Sequence, residues 1–155
     1  MDTVLIRKYL SAAYNVKEQI NILQEKCDLL SEDSLVQGKY GQEYISNPNV
    51  SKPVEEEIML LFDALSKYFV LKEKYANILL ERIELIDAAL PLSSVDNKIL
   101  KYRYIDTMRW KEISNKTFYR LKHLNRIHSR AMRKISNYVD NHPLWKDRIE
   151  TVVTY

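Results

Sequence analysis

The chain has 155 residues, 46% hydrophobic and 29% charged, with two glycines and four prolines, which excludes a disordered chain and suits long helices around a real core. Residues 1–90 carry ten basic and fifteen acidic side chains, and residues 91–155 fourteen and six, so a formal net charge of +3 conceals two halves of opposite sign. A single cysteine excludes an internal disulfide, no apolar run nears the ~20 residues of a membrane span, and charge interrupts the N-terminal stretch too early for a signal peptide, so a cytoplasmic protein without a membrane partner is expected.

The first helix is expected over residues 2–30. There Ile6, Tyr9, Ala13, Val16, Ile20, Leu23, Cys27 and Leu30 recur at alternating three- and four-residue spacing. Such a stripe belongs to a helix packed lengthwise on another. Residues 31–53 lose the period and hold Gly38, Gly41, Pro48 and Pro53, so they read as a loop or linker. A second helix is expected over residues 53–90, stopped by Pro91, with Glu55, Glu56 and Glu57 at the positive end of its dipole. At 1.5 Å per residue it would be about 55 Å long. One apolar row runs through Ile58, Phe62, Leu65, Phe69, Ala76, Leu79, Ile83, Ile86 and Leu90; a second holds Leu61, Tyr68, Leu71, Tyr75, Ile78 and Leu85. So wide a face is more than one partner helix covers, and it implies self-association or burial against the C-terminal helices.

After a hinge at Leu92, Ser93 and Ser94, the Ser93/Asp96 spacing resembles a capping box and starts a helix over residues 94–105. Asp106, Thr107 and Met108 break it. A short helix is expected over residues 109–116, a turn over 117–119, and a long helix onward to Tyr138. Residues 141–143 end that helix and leave a tail whose Trp145, Ile149 and Val152 are placed to dock back. No internal repeat is present.

The chemistry concentrates in residues 96–138, which hold twelve basic and three acidic side chains. On a wheel of about 100° per residue, Leu121, Leu124, Ile127, Ala131, Ile135 and Tyr138 of the long helix share one side. Lys122, Arg126, Ser129 and Arg133 point the opposite way, flanked by Tyr119, His123, Arg130 and Asn137. A face of this kind neutralises phosphates and releases condensed counterions, the main sequence-independent source of DNA affinity. A helix about 10–12 Å wide also fits the major groove, where Arg, Lys, Asn and His reach base edges. A solvated basic face without a ligand is the plain alternative. The spacing of Trp110, Ile113, Thr117, Tyr119, Leu124 and Ile127 argues for DNA. It puts apolar residues where a helix-turn-helix clamps its two helices, with the small Ser114 at their crossing.

Other chemistries find little support. The two glycines form no phosphate loop, and the histidines and cysteine show no metal-ligand spacing. The acidic groups at Glu55–Glu57 and at Glu81, Glu84 and Asp87 read as a helix start and a solvated face, without a base or acid partner for catalysis. The 11 tyrosines mostly follow helix periodicity and read as packing residues.

The run Arg103-Tyr104-Ile105, Trp110-Lys111-Glu112-Ile113 and Arg126-Ile127-His128, followed by Ala131-Met132, resembles the RYI…WxEI…RIHxxAL pattern of phage-encoded regulators. These are the ArpU-type and RinA-type late transcriptional regulators, whose helix-turn-helix is similar to the fourth region of bacterial sigma factors. The resemblance covers about 40 residues closely and the N-terminal half only in outline. The chain departs from it at Thr117, where the family usually has Leu, at Arg120, where a Ser or Thr cap is usual, and in the bulk of Phe118-Tyr119. By position, the resemblance implies that Lys122, His123, Arg126, Arg130 and Arg133 face DNA and that Trp110 and Ile113 are core. His128 matches a family position but lies near the apolar side of the wheel, and a packed, hydrogen-bonded histidine is expected there.

The expected fold is all-α: a long antiparallel, coiled-coil-like helical hairpin followed by a sigma-region-4-like helix-turn-helix. Residues 1–90 would form the oligomerising arm, 94–138 the DNA-binding domain and 139–155 a tail. The expected function is non-enzymatic regulation of phage or prophage late genes, with no cofactor and no metal. Double-stranded DNA, a second copy through the N-terminal helices, and host RNA polymerase are the expected partners, in the bacterial cytoplasm. Two other readings stay open: a small terminase subunit recognising packaging-site DNA, and a protein-interaction module such as an anti-repressor or polymerase-binding factor.

Overall fold

The computed structural model describes residues 1–44 and 51–154, with side chains for 1–32 and 55–154. The described residues form six α-helices and one π-helical turn, with no strand among them. They are α1 (Thr3–Tyr44), α2 (Ser51–Ala89), α3 (Val95–Leu100), the π turn (Lys101–Ile105), α4 (Trp110–Thr117), α5 (Leu121–Asp140) and α6 (Pro143–Thr154). The chain is all-helical, as its patterning predicts. No helix among the described residues is long and apolar enough to cross a membrane.

The expected loop over 31–53 is mostly helix instead: α1 continues to Tyr44 and α2 begins at Ser51. Gly38 and Gly41 each weaken a helix by about 1 kcal/mol relative to Ala, but neither blocks it sterically as proline does. Two glycines therefore mark a weaker stretch of α1, not its end. Pro48 and the connection itself lie outside the described residues.

Two compact units divide the chain, residues 16–75 and residues 1–15 with 76–155. In the first, Val16, Ile20 and Cys27 of α1 and Ala64 of α2 are buried, and Leu61, Tyr68, Leu71 and Tyr75 are half-buried. Of the other apolar row, this unit leaves Ile58 40%, Phe62 63% and Phe69 64% exposed, with Leu65 half-buried. The two rows lie about 100° apart around the helix, most of their members being sequence neighbours. Which one packs depends on where the neighbour lies, and periodicity does not carry that information.

The second unit holds the main core. Ile6, Tyr9 and Leu10 of α1 pack with Leu85, Ile86 and Leu90, with Leu100 and Tyr104, and with Ala131, Met132, Ile135 and Val139 of α5. Trp145 and Ile149 of α6 complete this cluster, so the tail docks as expected, while Val152 remains 47% exposed. Arg82 is 1% exposed and stacks its guanidinium 3.7 Å from the Tyr9 ring centroid. Its Nε donates to the Tyr9 carbonyl at 3.1 Å and its Nη1 pairs with Glu81 at 3.0 Å, so the buried charge is compensated. Burial nonetheless lowers the Arg82 pKa, against the pull of Tyr9 and Glu81.

The cap of α3 falls on Ser94, not Ser93: its Oγ accepts from the Asn97 N–H at 3.2 Å. Asn97 in turn donates to Asp87 and to the Leu90 carbonyl, closing the end of α2. Asp96, expected to cap, is buried and used elsewhere.

Candidate nucleic-acid interface

α4 and α5 meet through a small apolar cluster. Ile113 of α4 and Leu124 and Ile127 of α5 are buried with Ile99 of α3, and Tyr102, Met108, Trp110 and Tyr119 pack around them. Of the residues expected from spacing, the cluster holds Trp110, Ile113, Tyr119, Leu124 and Ile127, while Thr117 is half-buried outside it. α4 starts where the Glu112 carboxylate accepts from the Arg109 N–H at 2.8 Å. It ends at Phe118, whose φ of 60° is left-handed, a conformation that is strained for a bulky residue. Around it, Thr117 Oγ1 donates to the Ile113 carbonyl at 2.7 Å and Ser114 Oγ to the Tyr119 carbonyl at 2.6 Å. Ser114 therefore ties the turn down with its hydroxyl, besides being small. The Phe118 side chain is 92% exposed.

Arg120 precedes α5 at its N-cap position, extended and without a side-chain cap bond. The helix is amphipathic along its 20 residues. Leu124, Ile127, His128, Ala131, Met132, Ile135 and Val139 are buried. Leu121 is half-exposed and Tyr138 half-buried, so the inward face is narrower at its ends than the wheel implies. All five expected DNA-facing residues, Lys122, His123, Arg126, Arg130 and Arg133, are exposed.

They are not equivalent. Arg130 clasps Asp96, with Nε 3.2 Å from both carboxylate oxygens and Nη2 on Oδ1. Lys134 adds a contact to the same carboxylate at 2.8 Å. Burial alone would push the Asp96 carboxyl up, but the bonds from Arg130 and Lys134 outweigh it and hold the group below the ordinary carboxylate range. The same bonds raise the Arg130 pKa. Arg130 is thus largely committed to α3. Lys122, Arg126 and Arg133 form no ion pair among the described residues; Arg133 makes a 3.4 Å bond to the Ser129 carbonyl. His123 sits edge-on to Tyr119, with ring centroids 5.1 Å apart.

His128 is packed and bonded as expected, 7% exposed with its Nε2 2.8 Å from the Tyr104 hydroxyl. Trp110 meets the imidazole edge-on, centroids 5.2 Å apart. Burial, then the nearby Arg7 and Arg103, push its pKa down to about 4, and burial pushes Tyr104 up to about 12. The pair is neutral at pH 7.

Sequence reasoning missed Asn125, exposed on the flank of α5, and the cations of other elements beside it, Arg7 and Arg103. Arg103 stood in a quoted motif, but Arg7 carries no signal in its own segment. Among the described residues no three His, Cys, Asp or Glu side chains converge as a metal site. No protein-family model, curated protein or solved structure matches the chain.

Proposed function

We propose that the protein is a non-enzymatic DNA-binding regulator, with α4 and α5 acting as a sigma-region-4-like helix-turn-helix and α5 entering the major groove. The observation that carries this reading is the outer face of α5. Lys122, Arg126 and Arg133 stand there exposed and without acidic partners among the described residues, on the second helix of a clamped pair. Three exposed cations on one helix favour a polyanion, and each phosphate they neutralise adds counterion release. Lys122 and Arg126, near the start of α5, are the base-reading candidates, with His123 beside them. Arg130 serves chiefly to fix α5 on α3 through Asp96.

The motif resemblance supplies the biological setting, phage or prophage late genes in a bacterial cytoplasm. The exposed apolar residues of the 16–75 unit, including Ile22, Leu29, Phe62, Phe69 and Val70, support pairing of an antiparallel helical arm with a second copy. A second reading head on the same arm raises the effective concentration at a two-half site. Host RNA polymerase is a further candidate contact for the arm.

Fluorescence anisotropy against late-promoter duplexes from the source genome tests the reading. A preference over random duplex at physiological salt is expected, and its absence would sink the regulator. Sedimentation velocity tests the arm: a dimer is expected, whereas a ring of many subunits favours packaging-site recognition instead.

A further inference from the structure

Beside the inner flank of α5 lies a cleft of about 240 Å³ whose lining is cationic and polar. Arg7 and Ser11 of α1, Arg103 and Tyr104 of the π turn, and Asn125 and His128 of α5 line it, with Trp110 closing one side. The lining contains two arginines and no carboxylate. Its volume falls below the roughly 300–1,000 Å³ of sites for drug-sized ligands. A compact anion suits it better.

The π turn builds this cleft. Its wide i→i+5 bond, Asp106 N–H to the Lys101 carbonyl at 3.0 Å, lets Arg103 line the cleft while Tyr104 is buried beside it. Arg103 is held in place from three sides. Its Nη1 donates to the Met108 carbonyl at 2.9 Å, and its guanidinium lies 5.1 Å from the Trp110 ring and 5.4 Å from the Tyr14 ring. That leaves four of its five N–H donors for another acceptor. Arg7 is exposed and forms no ion pair among the described residues. Where the Tyr104 hydroxyl donates to Nε2, the imidazole proton sits on Nδ1, and neutral His128 is a donor as well.

The geometry points to a phosphate-group site here, in which Arg7 and Arg103 supply charge and Asn125, Ser11 and His128 supply neutral donors. A phosphate offers several acceptor oxygens on one charged centre, and forked guanidinium donors match it. Two sources can present that group: a DNA backbone phosphate or free phosphate. Asn125 lies roughly 40–60° around the helix from Ser129 and Lys122, so a duplex against the outer face of α5 runs past the mouth of the cleft. The DNA source rests on the DNA-binding reading; the free-phosphate source does not.

The test titrates the full chain with inorganic phosphate at ionic strength held constant by chloride, following the His128 ring resonances by NMR. A saturable shift is expected, weakened about tenfold or more in Arg7→Gln and weakened also in Asn125→Ala. Lys146→Gln, which removes a charge from α6, should leave it unchanged. A random duplex is then titrated the same way. If the backbone is the source, the duplex moves the same resonances and Arg7→Gln lowers the salt slope of duplex binding by about 1. If the source is free phosphate, only the phosphate arm responds. Silence of His128 toward both, or parent-like titration by both cleft variants, overturns the site. That failure would leave promoter preference standing, and loss of promoter preference would leave the phosphate titration readable.

Discussion

The buried imidazole of His128 should make the fold sensitive to mild acid. An unfolded histidine titrates near 6.5, and burial with Arg7 and Arg103 nearby brings the folded group to about 4. Between those values the unfolded chain binds a proton that the folded chain refuses. This contribution to stability is therefore fully present above pH 6.5 and is lost progressively as pH falls toward 4. A separation of about 2.5 pKa units sets the ceiling of the loss on the order of 3 kcal/mol, a large part of the stability of a domain this size. The groups around the imidazole offer no acidic compensation: Arg7 and Arg103 are cationic, Tyr104 is neutral, and Trp110 and Asn125 do not titrate.

Urea unfolding followed by circular dichroism, from neutral pH down to about pH 4.5 in phosphate-free buffer, reads this out. The parent should lose stability steadily across the range. His128→Gln keeps a polar partner for Tyr104 without titrating there, so it should be less stable at neutral pH but nearly flat in acid. The carboxylates with depressed pKa values, Asp87 and Asp96, contribute stability that is lost only on acidification below their ordinary values, so they fall outside this window. A parent curve that is flat from neutral pH to 4.5, or a His128→Gln curve with the parent's slope, would refute the assignment.

Three other outcomes follow from the same contacts. Arg126→Ala and Arg133→Ala should each weaken duplex binding and lower its salt slope by about 1, with little effect on thermal stability, whereas Arg130→Ala should lower stability first, as melting and anisotropy together will show. Asp96→Asn should destabilise the fold by about 1–3 kcal/mol in urea titrations while releasing Arg130 and strengthening non-specific duplex binding; weaker binding by a folded variant would count against the division of labour on α5. Phe118→Gly relieves a left-handed phenylalanine and should shift the denaturation free energy by no more than about 1 kcal/mol in either direction, since the strain relieved opposes the entropy gained by the unfolded chain. A large loss of duplex affinity in that variant would assign the exposed ring to the DNA contact.

What could be read from the sequence depended on whether a signal was local. Ile113, Leu124 and Ile127 lie close together in sequence on α4 and α5, and their spacing placed them in a shared cluster. The bonded His128 followed from its position on the wheel of its own helix. Arg82 shows where local reading fails. Positions 61, 64, 68, 71, 75, 78, 82 and 85 continue a single three-and-four seam, but an arginine there reads as solvent-facing until Tyr9, distant in sequence, supplies its carbonyl and ring. Arg7 fails for the same reason, since its place beside Arg103 and Asn125 depends on how α1 docks.

The clearest consequence concerns Arg130. The resemblance ranks it with Arg126 and Arg133, and the wheel sets it only on their flank, because a wheel registers direction and not partners. Asp96, the sequence candidate for a helix cap, is what separates them. A half-exposed arginine on a buried carboxylate is no longer a free counter-charge for phosphate; releasing it leaves Asp96 with Lys134 alone. The cationic face of α5 therefore divides along its width. One edge, through Arg130 and Lys134, anchors the helix to α3, and the centre, through Lys122, Arg126 and Arg133, remains available. A rigid anchor at the edge makes the central cations more useful for recognition, because their backbone is fixed before any ligand arrives.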